Sequence, residues 1–187
     1  MRGAKDFSVS KRDIDQAVRP WQRDIHRVFK TSGISHVFYV PDAGHKGLIT
    51  LCEADADITM TVLTSEQEGI GLAAGLWLGG VRGALLMQSS GVGNCVNQFT
   101  LLENCRIPLL VLVTMRGEFA EFNPWQIPMG KRAGSVFELM GFDVFRADTD
   151  DLVGDTVAGA TDQAFNAGRP VAVLLSQRLI GRKNWGK

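Results

Sequence analysis

The chain has 187 residues, of which 45% are hydrophobic, enough for one domain with a full core. Lysine plus arginine and aspartate plus glutamate number 20 each, so the formal net charge is zero. That balance argues against nucleic acid or an anionic membrane as the main partner, and no basic stripe with interleaved aromatics appears.

Residues 1–10 read as a tail without the apolar core of a signal peptide, and no apolar run reaches membrane-spanning length. A cytoplasmic protein is therefore expected. A helix is expected over 10–32, where Ile14, Val18, Trp21, Ile25, Val28 and Phe29 recur at three- and four-residue steps. Pro20 would kink or interrupt it, and Gly33 suits its C-cap. The first strand is His36 to Val40. It runs into Pro41-Asp42-Ala43-Gly44-His45, a turn whose proline and glycines indicate a close backbone approach. A short helix over 48–52 follows, then a second buried strand over 58–63.

That strand feeds directly into a helix opening at Ser65-Glu66-Gln67-Glu68 and ending near Gly79-Gly80. Ser65 and Glu68 fit a capping box, with the hydroxyl on the N3 amide and the carboxylate on the N-cap amide. Glu66 would stand at N1, where the helix dipole favours its ionised form. Local chemistry alone makes Glu66 a surface acid.

The third strand is expected over 83–88. It leads into the turn Gln88-Ser89-Ser90-Gly91 and a helix over 92–104. Backbone N–H groups of such a turn can face an anion. The turn lacks the Lys-Ser/Thr ending of a P-loop and the third glycine of a dinucleotide fingerprint, and packing of helix on sheet also accounts for its glycines. The fourth strand, 108–114, is apolar on both faces, as a central parallel strand is. Residues 115–132 form a long irregular stretch, and such loops are usually functional or mobile. A helix over 134–140, a strand over 143–146, a helix over 150–166 and a last strand over 171–175 complete the pattern. The alternation predicts an α/β fold: one doubly wound, mostly parallel six-stranded sheet with helices on both faces. The domain is expected over 11–181, with tails at 1–10 and 182–187. Cys52, Cys95 and Cys105 lack metal-ligand spacing and read as reduced packing residues; His26, His36 and His45 are too dispersed for a zinc site.

Four stretches in order resemble the pyrimidine-binding (PYR) domain of thiamine-diphosphate enzymes. They are similar above all to sulfopyruvate and phosphonopyruvate decarboxylases, in their α subunits or amino-terminal halves. The stretches are Phe38 to Asp42, Ser65-Glu66 with Gly71 to Gly75, Met87 to Asn97, and Ile107 to Leu110 running on to Arg116-Gly117-Glu118. The resemblance covers roughly residues 34–140. It implies a doubly wound domain binding thiamine diphosphate with Mg2+, and the α subunit of a two-subunit 2-oxo acid decarboxylase acting on 3-sulfopyruvate. Phosphonopyruvate decarboxylase, or another decarboxylase or carboligase using the same cofactor, is the alternative. A non-catalytic flavodoxin-like binding module, with Glu66 as a cap, is a further reading.

The resemblance also distributes roles. Glu66 would hydrogen-bond N1′ of the aminopyrimidine and so promote ylid formation at the thiazolium C2. Pro41, Gln88, Ser89, Ser90 and Gly91 would line the cofactor, with Asn94 and Asn97 tying loop to helix. Asp42, Gly44, His45, Arg116, Gln126 and Lys131 would face the substrate, and His45 would bind its carboxylate or relay protons. A sulfonate or phosphonate tail calls for cations, and Arg116, Lys131 and Arg132 flank the long loop. Gln126 replaces a histidine found near there in some relatives. The family holds diphosphate and magnesium on a second (PP) domain, with Gly-Asp-Gly and Asn-Asn motifs. This chain has Gly154-Asp155-Thr156 and no Asn-Asn pair. A β subunit carrying that domain is therefore implied, with Trp77, Phe99 and Phe119 as interface candidates beside their commoner fate as core residues.

Overall fold

The computed structural model describes residues 18–182. Six parallel strands form one sheet: β1 (Ile34–Tyr39), β2 (Thr59–Val62), β3 (Arg82–Gln88), β4 (Leu109–Thr114), β5 (Asp143–Ala147) and β6 (Pro170–Leu175). Their spatial order is β2-β1-β3-β4-β6-β5. The central strands are the apolar ones. All of β4 is buried, and β6 is buried from Val171 to Leu175. Val37 lies beside Ala84, Ala84 beside Leu110, and Leu110 beside Val171. Strands covered on both faces leave no room for polar alternation.

Helices cover both faces. On one lie α1 (Pro20–Thr31), α2 (Lys46–Glu53) and α8 (Asp150–Ala167), which bury Trp21, Ile25, Phe29, Leu48, Val157 and Ala164 against the sheet. On the other lie α3 (Glu66–Leu78), α4 (Val92–Cys95), α5 (Phe99–Cys105) and α7 (Ala133–Leu139), which bury Ile70, Phe99, Leu102 and Phe137. Two short helices, α6 (Ile127–Gly130) and α9 (Gln177–Ile180), follow strands β4 and β6.

The chain leaves β1 towards β2 and then returns past β1 to β3. The reversal opens a crevice at the carboxyl ends of β1 and β3, where ligands of such sheets bind. The turns after β1, β2, β3 and β4 all converge on that rim.

Some sequence expectations need correction. Within the described residues, Pro20 does not kink a helix: it is the first residue of α1, where its missing N–H costs nothing. Residues 10–17 lie outside the described residues, as do both expected tails apart from Arg182. The helix expected over 92–104 is broken into α4 and α5. The stretch 115–132 carries a 3-10 turn at Pro124–Gln126 and then α6. Phe99 is fully buried in a cluster with Phe137 and Phe142, so it is core rather than interface. Trp77 is half-buried and stacks on Phe165, and Phe119 is half-buried beneath the Arg178 guanidinium at 4.0 Å. Cys52 and Cys95 are buried, but Cys105 is exposed. Among the described residues no helix is long and apolar enough to cross a membrane.

Candidate active site at the carboxyl rim of the sheet

Glu66 is the first residue of α3, the 13-residue helix that follows β2. It is only 9% exposed. Oε2 accepts the side-chain amide of Asn94 on α4 at 2.9 Å. Oε1 has no donor among the described residues. Gly91 abuts this carboxylate: a Cβ there would stand 2.4 Å from Oε1 and from Cδ. Only glycine admits the carboxylate so close to the backbone of the turn. Burial first, and the Glu66 charge second, push the Cys95 thiol up to about 12.

Glu68 has a different task. Ser65 makes no side-chain cap bond, so the expected capping box does not form. Glu68 instead reaches back one residue further, accepting the Thr64 hydroxyl at 2.6 Å and the Thr64 amide at 3.0 Å. These bonds hold its carboxyl below the usual range, the hydroxyl contributing most. The two acids of the junction are thereby separated, with Glu68 serving the loop and Glu66 turned towards the Gly91 turn.

The turn after β3 is fixed from two sides. Gln88 donates its amide to Asp42 Oδ1 at 2.9 Å, and its Oε1 accepts the Ser90 hydroxyl at 2.8 Å. Ser89 is buried, and its Oγ accepts the Arg116 backbone N–H at 3.1 Å. Asp42 Oδ2 accepts the Thr114 hydroxyl at 2.6 Å and the Gly44 amide at 3.0 Å. Pro41 is exposed and lines a cavity of about 410 Å³ with Tyr39, Asp42, Lys46, Ile49 and Glu53.

His45 lies inside the protein at 1% exposure. Its Nε2–H donates to the Leu112 carbonyl at 3.1 Å, and Nδ1 makes no hydrogen bond of good geometry among the described residues. Burial pushes its pKa below the ordinary histidine value, against smaller opposing effects led by the Asp42 charge. A neutral, enclosed imidazole results.

Arg116 is 6% exposed and committed to an internal partner. Nε and Nη2 donate to the two oxygens of Glu121 at 2.7 and 2.6 Å. Glu121 also accepts the Gly117 and Asn123 amides and the Gln177 side-chain amide. Burial opposes ionisation, but these donors, Arg116 foremost, outweigh it and bring the Glu121 carboxyl down to about 2. Gln177 Oε1 accepts the Glu118 and Phe119 amides, so the loop after β4 is strapped to the end of β6. Lys131 is exposed beside Glu118, Glu138 and Arg146, in a cleft of about 380 Å³. Gln126 is half-buried with its Oε1 unpartnered. Beyond it Trp125, 85% exposed, lines an apolar groove with Pro124, Pro128, Met129 and Arg132.

The structure therefore joins Asp42, Gln88, Ser90, Gly91 and Glu66 along one rim, and places His45 and the Arg116 guanidinium within the protein. Sequence reasoning missed Thr114, Glu121 and Gln177. Thr114 had a signal, as the one polar residue in an otherwise apolar strand. Glu121 and Gln177 had none, because their partners are set by the loop fold.

An all-parallel, doubly wound sheet presenting a buried, half-satisfied carboxylate at its switch point defines a ligand-binding α/β domain. Residues 22–120 match the family described as thiamine pyrophosphate enzyme, N-terminal TPP binding domain, and the chain belongs to that family. It is 35% identical to the sulfopyruvate decarboxylase subunit alpha of Methanococcus maripaludis over 81% of this chain and 91% of that protein. It is 32% identical to the phosphonopyruvate decarboxylase of Streptomyces viridochromogenes over 79% of this chain and 38% of that protein. A solved 2-oxoglutarate:ferredoxin oxidoreductase from Magnetococcus marinus has the same fold, with TM-score 0.65 and 10% identity, covering 86% of this chain and 29% of that one.

The residues present fit the aminopyrimidine end of thiamine diphosphate. Glu66 Oε1 lacks a donor among the described residues and faces a glycine, which suits a planar ring bearing a protonated nitrogen. Among the described residues no group of three or more His, Cys, Asp or Glu is placed to hold a metal ion.

Proposed function

We propose that this chain is the α subunit of a two-subunit thiamine-diphosphate-dependent 2-oxo acid decarboxylase that converts 3-sulfopyruvate to sulfoacetaldehyde and CO2. The observation that carries it is the Glu66 carboxylate, buried at a helix N-terminus with one oxygen tied to Asn94 and the other, against Gly91, without a donor among the described residues. Similarity along nearly the whole length of a sulfopyruvate decarboxylase subunit alpha supports the substrate. Phosphonopyruvate, whose tail is likewise a tetrahedral anion, is the second reading, supported by the similarity to a phosphonopyruvate decarboxylase.

When bound, thiamine diphosphate supplies the carbon nucleophile and the electron sink that decarboxylation needs. Glu66 Oε1 would hold and return a proton at the pyrimidine ring nitrogen N1′, with Asn94 restraining the carboxylate through Oε2. Gly91 lets the ring approach the carboxylate. The Gln88–Gly91 turn and Pro41 border the cofactor, while Asp42, Gly44, His45, Arg116, Gln126 and Lys131 shape the substrate side. His45 and Arg116 do so from within the protein, so the anionic tail meets Lys131 or cations of the partner. The diphosphate and Mg2+ belong to a β subunit with the PP domain, in the cytoplasm.

Calorimetric titration of thiamine diphosphate with Mg2+ into the chain alone, and into the chain with its partner subunit, tests this reading. Binding only to the mixture, with CO2 released from 3-sulfopyruvate and lost in Glu66→Gln, is expected. Tight binding to the isolated chain defeats the two-subunit arrangement. Equal turnover by Glu66→Gln defeats the catalytic reading.

A further inference from the structure

One carboxylate ties together the carboxyl ends of three strands. Asp42, after β1, accepts the Thr114 hydroxyl from β4 and the Gly44 amide on Oδ2, and the Gln88 side-chain amide from the end of β3 on Oδ1. The Gln88 amide has one usable orientation, because turning its oxygen towards Asp42 would set two acceptors face to face. Its Oε1 then receives the Ser90 hydroxyl, so the proton of Ser90 points at Gln88. The turn on the other side has no slack. A Cβ at Gly44 would stand 2.8 Å from both Asp42 Oδ2 and Thr114 Cγ2. Both oxygens of Asp42 are thus occupied by donors of the protein itself.

We infer that Asp42 is a positioning residue, which orients the Gln88–Gly91 turn through the Gln88 amide and is itself anchored by Thr114. The inference rests on the decarboxylase reading for the reaction served, and on this chain's geometry for the mechanism. The turn carries Gly91, whose backbone defines how close a ring comes to Glu66. A Gln88 side chain released from Asp42 frees Ser90 and lets Gly91 drift against the carboxylate. Orientation errors of this size slow chemistry without weakening binding to match.

The test exchanges the two ends of the Asp42–Gln88 bond. In the double variant Asp42→Asn with Gln88→Glu, the new amide donates to the new carboxylate. The Thr114, Gly44 and Ser90 donors all keep acceptors. The full chain, tagged and purified with its partner subunit from its source organism, is assayed on 3-sulfopyruvate, and thermal unfolding of the same four chains is recorded. Each single variant is expected to lower kcat about 10- to 100-fold with KM nearly unchanged. The double variant is expected to recover most of both kcat and the unfolding midpoint. Thr114→Ser should resemble the parent, and Thr114→Val the Asp42→Asn variant.

A double variant that regains its midpoint yet stays as slow as Asp42→Asn overturns the inference, since the carboxylate would then be needed by the substrate. Strictly additive midpoint losses overturn it as well. If the parent complex decarboxylates no 2-oxo acid, the decarboxylase reading fails, and the unfolding cycle alone decides whether Asp42 holds the turn through Gln88.

Discussion

Asn94 and Glu66 meet across the rim, amide to carboxylate at 2.9 Å, from two helices that begin on either side of the switch point. The bond leaves Glu66 one oxygen for a ligand and removes its freedom to turn towards solvent. Glu66→Gln keeps the shape and, on the proposed mechanism, removes the group that exchanges the proton. It should lower turnover of the complex by at least about 100-fold. Asn94→Ala should lower it less, about tenfold, because only the orientation is lost. Initial-rate assays of CO2 release check both, with the unfolding midpoint as the control for folding.

Gly91→Ala should be more damaging than its size suggests. The added carbon would meet the Glu66 carboxylate at 2.4 Å, so either the turn or the acid must move. Turnover should fall by about 100-fold while helix content by circular dichroism stays unchanged. Gly71→Ala, where a Cβ meets nothing within 4 Å, serves as the control and should be nearly silent.

Glu121 gives the chain an acid-sensitive strap. Burial opposes its ionisation, but Arg116, the Asn123 and Gly117 amides and Gln177 together outweigh it, and its carboxyl lies at about 2 in the folded chain, against 4.5 ordinarily. A group depressed in this way contributes stability above its unfolded value and loses it as pH falls through the folded one. Chemical denaturation between pH 5 and 2 should therefore show a falling unfolding free energy, with Glu121 supplying on the order of 2 kcal/mol of the change. Glu121→Gln should flatten the curve over that window and leave Arg116 buried without a counter-charge.

His45 sets a second window. Burial lowers its pKa below the usual 6.5, so the unfolded chain takes up a proton that the folded chain refuses. Stability should be full above pH 6.5 and decline as pH falls below it. His45→Gln should remove that slope while retaining a donor for the Leu112 carbonyl. Denaturation curves between pH 7.5 and 5.5 check the sign, and the His45→Gln and Glu121→Gln variants tell the two contributions apart.

Much of this architecture was legible in the sequence. The runs Leu109 to Thr114 and Val171 to Leu175 are apolar without alternation, which only strands buried on both faces allow. Glu66 followed a strand and opened a small-residue helix, so its place at the rim came from local pattern alone. The resemblance to a known family then selected it over Glu68.

What the sequence could not decide is which polar groups are consumed by the protein. Arg116 reads as a substrate cation until the loop fold brings Glu121 against it. His45 reads as a substrate contact or proton relay on the turn, until the fold carries it beneath the strand ends. Asp42 reads as a ligand contact, and only the fold shows that Thr114 and Gln88 also claim its two oxygens. Period and composition fix which face of an element is buried, because burial follows from local hydrophobic pattern. Pairing among polar side chains far apart in sequence depends on the strand order and on a few ångströms at the rim, and only the tertiary structure sets those.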